Sequence, residues 1–140
     1  MPDKDYGHRD VVDKLGVKPG HAVAFADGGG QLDPTLRERV LARAGRPPAE
    51  ADEPVDVALV AVDDGTDAAA VLTRWKKRLH PAGGVWLLTP KRDQTGYLDQ
   101  RELILAGQAA GLVDNKSCSV SDTTSGMRFV IRKADRPTGP

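Results

Sequence analysis

Residues 55–62, Val-Asp-Val-Ala-Leu-Val-Ala-Val, are a nearly unbroken apolar run that stops at Asp63-Asp64-Gly65. A strand covered on both faces needs such a run, whereas a strand with one wet face alternates apolar and polar residues. This segment therefore predicts a parallel sheet with helices on both sides. Two shorter runs of the same kind, residues 22–26 and 85–88, predict its neighbours.

Between the runs, apolar residues recur at helical spacing. Asp33 is placed as an N-cap with Pro34 at the first helical position. Leu36, Val40, Leu41 and Ala44 then share a face, and Gly45 is placed to close the helix. Thr66 or Asp67 caps the next helix, whose stripe is Ala68, Leu72, Trp75 and Leu79, with Pro81-Ala82-Gly83-Gly84 ending it. Arg74, Lys76, Lys77 and Arg78 lie on the outer side of that stripe. Cations near a helix C-terminus explain the basic run better than a nucleic-acid patch does. A further helix is expected from about Leu98 to Ala110, closed by Gly111, and a short one over residues 10–15.

Residues 112–120 read as a weaker strand and Thr123-Thr124-Ser125-Gly126 as a turn. Met127, Phe129 and Ile131 then alternate with Arg128, Val130 and Arg132, so the last two strands form an antiparallel hairpin. The expected fold is α/β: a truncated Rossmann-like three-layer sandwich, with a mostly parallel sheet of about five strands and a C-terminal antiparallel hairpin. A chain of 140 residues suits one core. The single domain is expected over residues 8–133, with residues 1–7 and 134–140 as flexible termini.

Composition narrows the function classes. Lys plus Arg number 20 and Asp plus Glu 20, so no general attraction to nucleic acid or to an anionic membrane is expected. Cys118 is the only cysteine, which excludes an intramolecular disulfide, and its setting between Ser117 and Ser119 reads as strand filler. The histidines, His8, His21 and His80, fall in separate segments without metal-ligand spacing, so no metal is expected. Ser125 lacks the glycine context of a nucleophile elbow. The polar N-terminus lacks the apolar run of a signal peptide, and no stretch approaches the ~20 apolar residues of a membrane span. A cytoplasmic protein is expected.

Several phrases carry a resemblance. Residues 15–23, Leu-Gly-Val-Lys-Pro-Gly-His-Ala-Val, resemble the lead-in to the first strand of S-adenosylmethionine-dependent methyltransferases. Residues 55–60 resemble their fourth strand, residues 79–85 the proline-and-glycine corner before the fifth, and residues 110–113 the start of the sixth. The whole chain also resembles an actinobacterial family of unknown function. The phrases that carry this are Lys14-Leu15-Gly16-Val17-Lys18-Pro19-Gly20, Gly111-Leu112-Val113-Asp114 and Ser125-Gly126-Met127-Arg128-Phe129-Val130. The resemblance implies a methyltransferase-like fold and supplies no catalytic residues.

A working methyltransferase of this kind needs a glycine turn after the first strand and an acid on the second strand for the ribose hydroxyls. Asp27-Gly28-Gly29-Gly30 supplies glycines without the usual spacing, and the motif's own acidic position falls on Phe25. Residues 46–54 are too few for the roughly 30 residues of a further strand, helix and strand. Glu50, Asp52 and Glu53 lie there in a linker with prolines at both ends. The expected function is therefore a non-catalytic binding or regulatory protein on a degenerate methyltransferase-like fold. The alternatives are a small-molecule methyltransferase using S-adenosylmethionine and a phosphate- or nucleotide-binding protein.

Two site expectations follow. In open α/β sheets ligands bind at the carboxyl ends of the strands. That edge gathers Asp27, Gly28, Gly29, Gly30, Asp63, Asp64, Thr89, Lys91 and Arg92, with bare glycine amides opposite Lys91 or Arg92 to hold an anion. Asp63 and Asp64 read as turn and cap residues rather than a cation site. An apolar first strand left at the sheet edge also invites a second copy or a protein partner.

Overall fold

The computed structural model describes residues 10–136. Its elements are α1 (Val11–Lys14), β1 (Val23–Asp27), α2 (Pro34–Ala44), β2 (Val55–Ala61), α3 (Ala68–Lys76), β3 (Leu79–Pro90), α4 (Gln100–Ala109), β4 (Leu112–Ser119) and β5 (Thr124–Ile131). A short 3-10 turn, Lys133–Asp135, follows β5. Residues 1–7 and 137–140, expected to be flexible, lie outside the described residues.

Every α-helix of the described residues starts on an aspartate. Asp10, Asp33, Asp67 and Asp99 each accept a first-turn amide, from Val12, Thr35, Ala70 and Arg101 respectively. These caps satisfy amides that have no partner inside the helix. Gly45 closes α2 at φ 69°, in the left-handed region, and its N–H donates to the Leu41 carbonyl.

The strand order is β1-β2-β3-β5-β4. β1, β2 and β3 are parallel, while β5 runs antiparallel to β3 and β4 antiparallel to β5. Alternation along the strands divides the core. Val57, Leu59, Trp86 and Leu88 pack with α1 and α2, through Val12, Leu15, Leu36 and Val40. Val60, Val85, Leu87, Met127 and Phe129 pack with α3 and α4, through Leu72, Trp75 and Leu103. The result is the expected three-layer α/β sandwich with an open five-stranded sheet.

Three local expectations are corrected. Helix α3 ends at Lys76, and Leu79 opens β3 opposite Val55, because the Val55 amide binds the Arg78 carbonyl and draws that segment into the sheet. The register then jumps from the Val55–Leu79 pair to the Val57–Gly84 pair. Residues 80–83 are thus a bulge within β3 rather than a helix stop. His80 sits on that bulge and not at a helix end, and its Nδ1 accepts the Ala82 amide. Gly83 is required there, since a Cβ would stand 2.5 Å from the Val55 carbonyl oxygen. Finally, Ser125 and Gly126 belong to β5, paired with Thr89 and Leu88, and the turn lies at residues 120–123. Gly126 makes room for the Trp86 ring: a Cβ would meet it at 3.1 Å. Packing, and not a turn, explains that glycine.

Candidate ligand site at the carboxyl edge of the sheet

The glycine loop after β1 folds over the end of β2. The amides of Gly28 and Gly30 both donate to the Ala61 carbonyl, at 2.7 and 3.1 Å. Gly29 has φ 139°, and a Cβ on it would collide with Thr66 Oγ1. Thr66 is itself held, since its hydroxyl donates to Asp63 Oδ1 and accepts the Asp63 amide. The three glycines therefore serve close backbone approach between neighbouring loops. Two of the three amides expected to be bare are already bonded.

The remaining predicted residues fall into distinct roles. Asp27 Oδ1 accepts the Leu32 amide, which fixes the run into α2. Asp63 Oδ1 accepts the Gly65 amide as well as the Thr66 hydroxyl, the turn-and-cap role expected of it. Asp64 donates its amide to the Gly96 carbonyl, which joins this loop to the one after β3. Lys91 does not face the glycines: its Nζ reaches Ser119 Oγ at 2.7 Å, across β5. Arg92 lies over the Tyr97 ring, 5.9 Å from its centroid.

Two cavities open along this edge. One, of about 290 Å³, lies between the start of α2, the ends of β2 and β3, and the turn before β5, and includes Gly30. The other, of about 520 Å³, lies between the end of β3, the first turn of α4 and the strands β4 and β5. Thr89 lines both. It is 5% exposed and is the buried polar residue of the described chain. Thr89 pairs with Ser125, which pairs with Ser119, so three adjacent strands present a row of hydroxyl residues along the larger cavity. Lys91, Arg92, Tyr97, Asp99, Gln100 and Ser117 add to its polar lining. Asp27, Gly28, Gly29, Asp63 and Asp64 line neither cavity.

Local sequence context does not mark these serines as site residues, although a signal is present in their spacing. Ser117 and Ser119 stand two apart on β4 and line the larger cavity, continuing the side on which Met127 faces α4. Hydroxyls at period two where apolar residues are due mark a place where a sheet face leaves its helix. Cys118 points the other way, and burial pushes its thiol up from the ordinary value, in keeping with the filler role.

The linker between α2 and β2 covers the outer side of β1. The Ala49 amide donates to the Val23 carbonyl at 2.8 Å. Arg46 grips Glu53 through two nitrogens, at 2.6 and 2.8 Å, and this contact holds the Glu53 carboxyl below the usual carboxylate range. Glu53 also accepts the Glu50 amide, so the linker is tied to itself. Phe25 is capped by the Arg37 guanidinium, 5.0 Å from the ring centroid.

Strand order, layers and the carboxyl-edge cavities together define a protein with the α/β architecture of S-adenosylmethionine-dependent methyltransferases. The solved structures it is similar to agree on this fold. A SAM-dependent methyltransferase from Aquifex aeolicus superposes with a TM-score of 0.66 at 15% identity, over 94% of this chain and 89% of that one. A TehB-like SAM-dependent methyltransferase from Corynebacterium glutamicum gives 0.54 at 13%, over 90% and 88%. The O-methyltransferase NcsB1 of neocarzinostatin biosynthesis, solved with S-adenosyl-L-homocysteine and a dihydroxynaphthoic acid, gives 0.65 at 14%, over 93% of this chain and 55% of that one. No curated protein sequence matches the chain. Residues 12–133 match the profile of the DUF3052 family, described as a protein of unknown function, and the chain belongs to that family. No helix of the described residues is long and apolar enough to cross a membrane.

Proposed function

We propose that this chain is a non-catalytic binding or regulatory protein on a degenerate methyltransferase-like fold, acting in the cytoplasm. The observation that carries the reading is the closed glycine loop. Gly28 and Gly30 bond the backbone of β2, where a methyltransferase of this fold would hold its glycine turn against the cofactor. The geometry around it points the same way. β1 is the edge strand, Phe25 stands at the expected acidic position, and Glu53 of the linker is engaged by Arg46. Isothermal titration with S-adenosylmethionine and S-adenosyl-L-homocysteine is expected to give no saturable heat. Uptake with a Kd near 10 μM or tighter, about −7 kcal/mol, would overturn the reading.

The ligand of such a protein sits in the hydroxyl-lined cavity of about 520 Å³, within the usual size range of small-molecule sites. Thr89 supports this placement, because its largely buried side chain lines the cavity in one row with Ser125 and Ser119. Lys91 and Arg92 on the same cavity favour a second reading, a phosphate- or nucleotide-binding protein. Titration with adenine nucleotides separates the two: binding that Lys91→Gln abolishes selects the second. A second copy or a protein partner at β1 is part of the first reading, with Phe25 as its centre, since Ala49 already covers Val23. A light-scattering mass of one chain at high concentration removes the second copy.

A further inference from the structure

At the opposite edge of the sheet, near the amino ends of the parallel strands, lies a cavity of about 210 Å³ on the α1 side. Its charged and titratable lining is Lys14, His21, Asp56, His80, Lys116 and Arg128. Three of these are cations, and one is an acid. No ion pair among the described residues joins any of the three cations to a carboxylate. Asp56 is already engaged, since its Oδ2 accepts the Ala22 amide at 2.8 Å.

Arg128 is the centre of the arrangement. It pairs with Trp86 on one side and Lys116 on the other, so the three residues form one row across β3, β5 and β4. Its side chain is half-buried and its guanidinium rests on Gly84, where a Cβ would stand 2.5 Å from Nε and 2.9 Å from Nη2. The missing side chain at position 84 thus seats the guanidinium against the backbone. Burial disfavours its charged form, and nearby Arg136 adds to the effect. A guanidinium keeps its proton regardless, so an unpaired positive charge stays partly desolvated. An oxyanion would relieve that cost, and the planar fork suits two oxygens at once.

The histidines add donors of fixed tautomer. His21 Nδ1 accepts the Lys18 amide, and His80 Nδ1 accepts the Ala82 amide. A neutral ring whose Nδ1 accepts carries its hydrogen on Nε2, so both rings keep a donor. Lys14 has only a long contact to the Ser119 carbonyl, at 3.4 Å, and Lys116 is exposed.

We propose that this cavity binds a small oxyanion of the phosphate class, with Arg128 as the bidentate anchor and Lys14 and Lys116 as flanking charges. The volume is below that of drug-sized pockets, about 300 Å³ and upward, which suits one or two phosphate groups. Three cations line one small hollow, and the chain as a whole is neutral. Both points favour a small anion over a nucleic-acid backbone.

The test is titration of the full chain with inorganic phosphate and with pyrophosphate at low ionic strength, followed by calorimetry. Saturable binding of one equivalent is expected, at a Kd of about 1 mM or tighter. Arg128→Gln should weaken it at least tenfold. Lys116→Gln, an exposed change that leaves folding intact, should weaken it about threefold, the effect of one flanking charge. Arg74→Gln, an exposed change on α3 away from this cavity, should leave it unchanged. No heat at about 10 mM pyrophosphate overturns the proposal, as does binding that Lys91→Gln removes while Arg128→Gln and Lys116→Gln do not. Binding of a duplex oligonucleotide without binding of either phosphate probe overturns it too.

Discussion

β1 and β4 close the two ends of one sheet, and their sequences are near opposites: Val-Ala-Phe-Ala-Asp against Leu-Val-Asp-Asn-Lys-Ser-Cys-Ser. β1 has apolar residues on both faces because both faces are covered. Val23 joins the core under α1 and α2, and Ala24 joins the core under α3 and α4. β4 has a helix on one side only. Leu112 is buried beneath α4, while Val113 is 37% exposed and Lys116 lies open on the other face. The hydrogen-bonding edges differ as well. The linker caps β1 through the Ala49 amide, and β4 ends in polar side chains, which discourage pairing with another strand. Apolar patterning thus reports how many layers cover a strand, and says little about whether the strand is central.

That contrast is open to attack at graded cost. The largest effect belongs to Gly29→Ala beside β1, where a positive φ and a collision with Thr66 coincide. A loss of about 3 kcal/mol in urea unfolding is expected, and a loss under 1 would mean that the loop is not closed on β2. Next is Trp86→Phe, at the joint between the two halves. Trp86 Nε1 donates to the Leu15 carbonyl at 3.0 Å in the buried core, tying α1 to β3. Removing it leaves a buried carbonyl unpaired, at about 2 kcal/mol.

Glu53→Gln probes the cover over β1 through pH. The carboxyl is held below its ordinary value by Arg46 first and the Glu50 amide second, so the folded state favours the ionised form. Its contribution is present above the ordinary glutamate value and is lost as pH falls through the lowered one. The wild type should therefore lose more stability than Glu53→Gln across that acid window. Equal slopes in acid denaturation would show that the linker does not depend on the pair. The smallest effect is Val113→Thr on β4, within about 0.5 kcal/mol, because that side chain already meets water. A shift above 1 kcal/mol would indicate that something covers this face in solution.

The same contrast explains what was legible beforehand. The buried strands and the helices with capping aspartates are local facts of spacing and chemistry, and so were readable. The hairpin's antiparallel sense followed from its short turn. The ends of elements were less so: Leu79 and the Ser125-Gly126 pair have local signals for a helix and a turn. Both were claimed by strands, through the Val55–Arg78 amide bond and the pairing of Ser125 with Thr89. At the carboxyl edge, Thr89 lines a cavity, whereas the amides of Gly28 and Gly30, expected to face a ligand, bond the Ala61 carbonyl. Ser119 and Arg128 carry no local signal for a site, because each gains meaning only from residues far away in the chain.

By itself, the order of residues determined an α/β fold with three parallel strands and a terminal hairpin. It also determined that too little chain separates Gly45 from Val55 for further strands. Periodicity, caps and chain length act over a few residues or set an upper bound on what fits, so they can be read in one dimension. Tertiary structure alone decided that three glycines seal one edge and that hydroxyls from three strands meet in one cavity. It alone set the Arg128 guanidinium against Gly84, with no carboxylate among the described residues paired to it. Those outcomes depend on register, and register is set by pairing between strands distant in sequence.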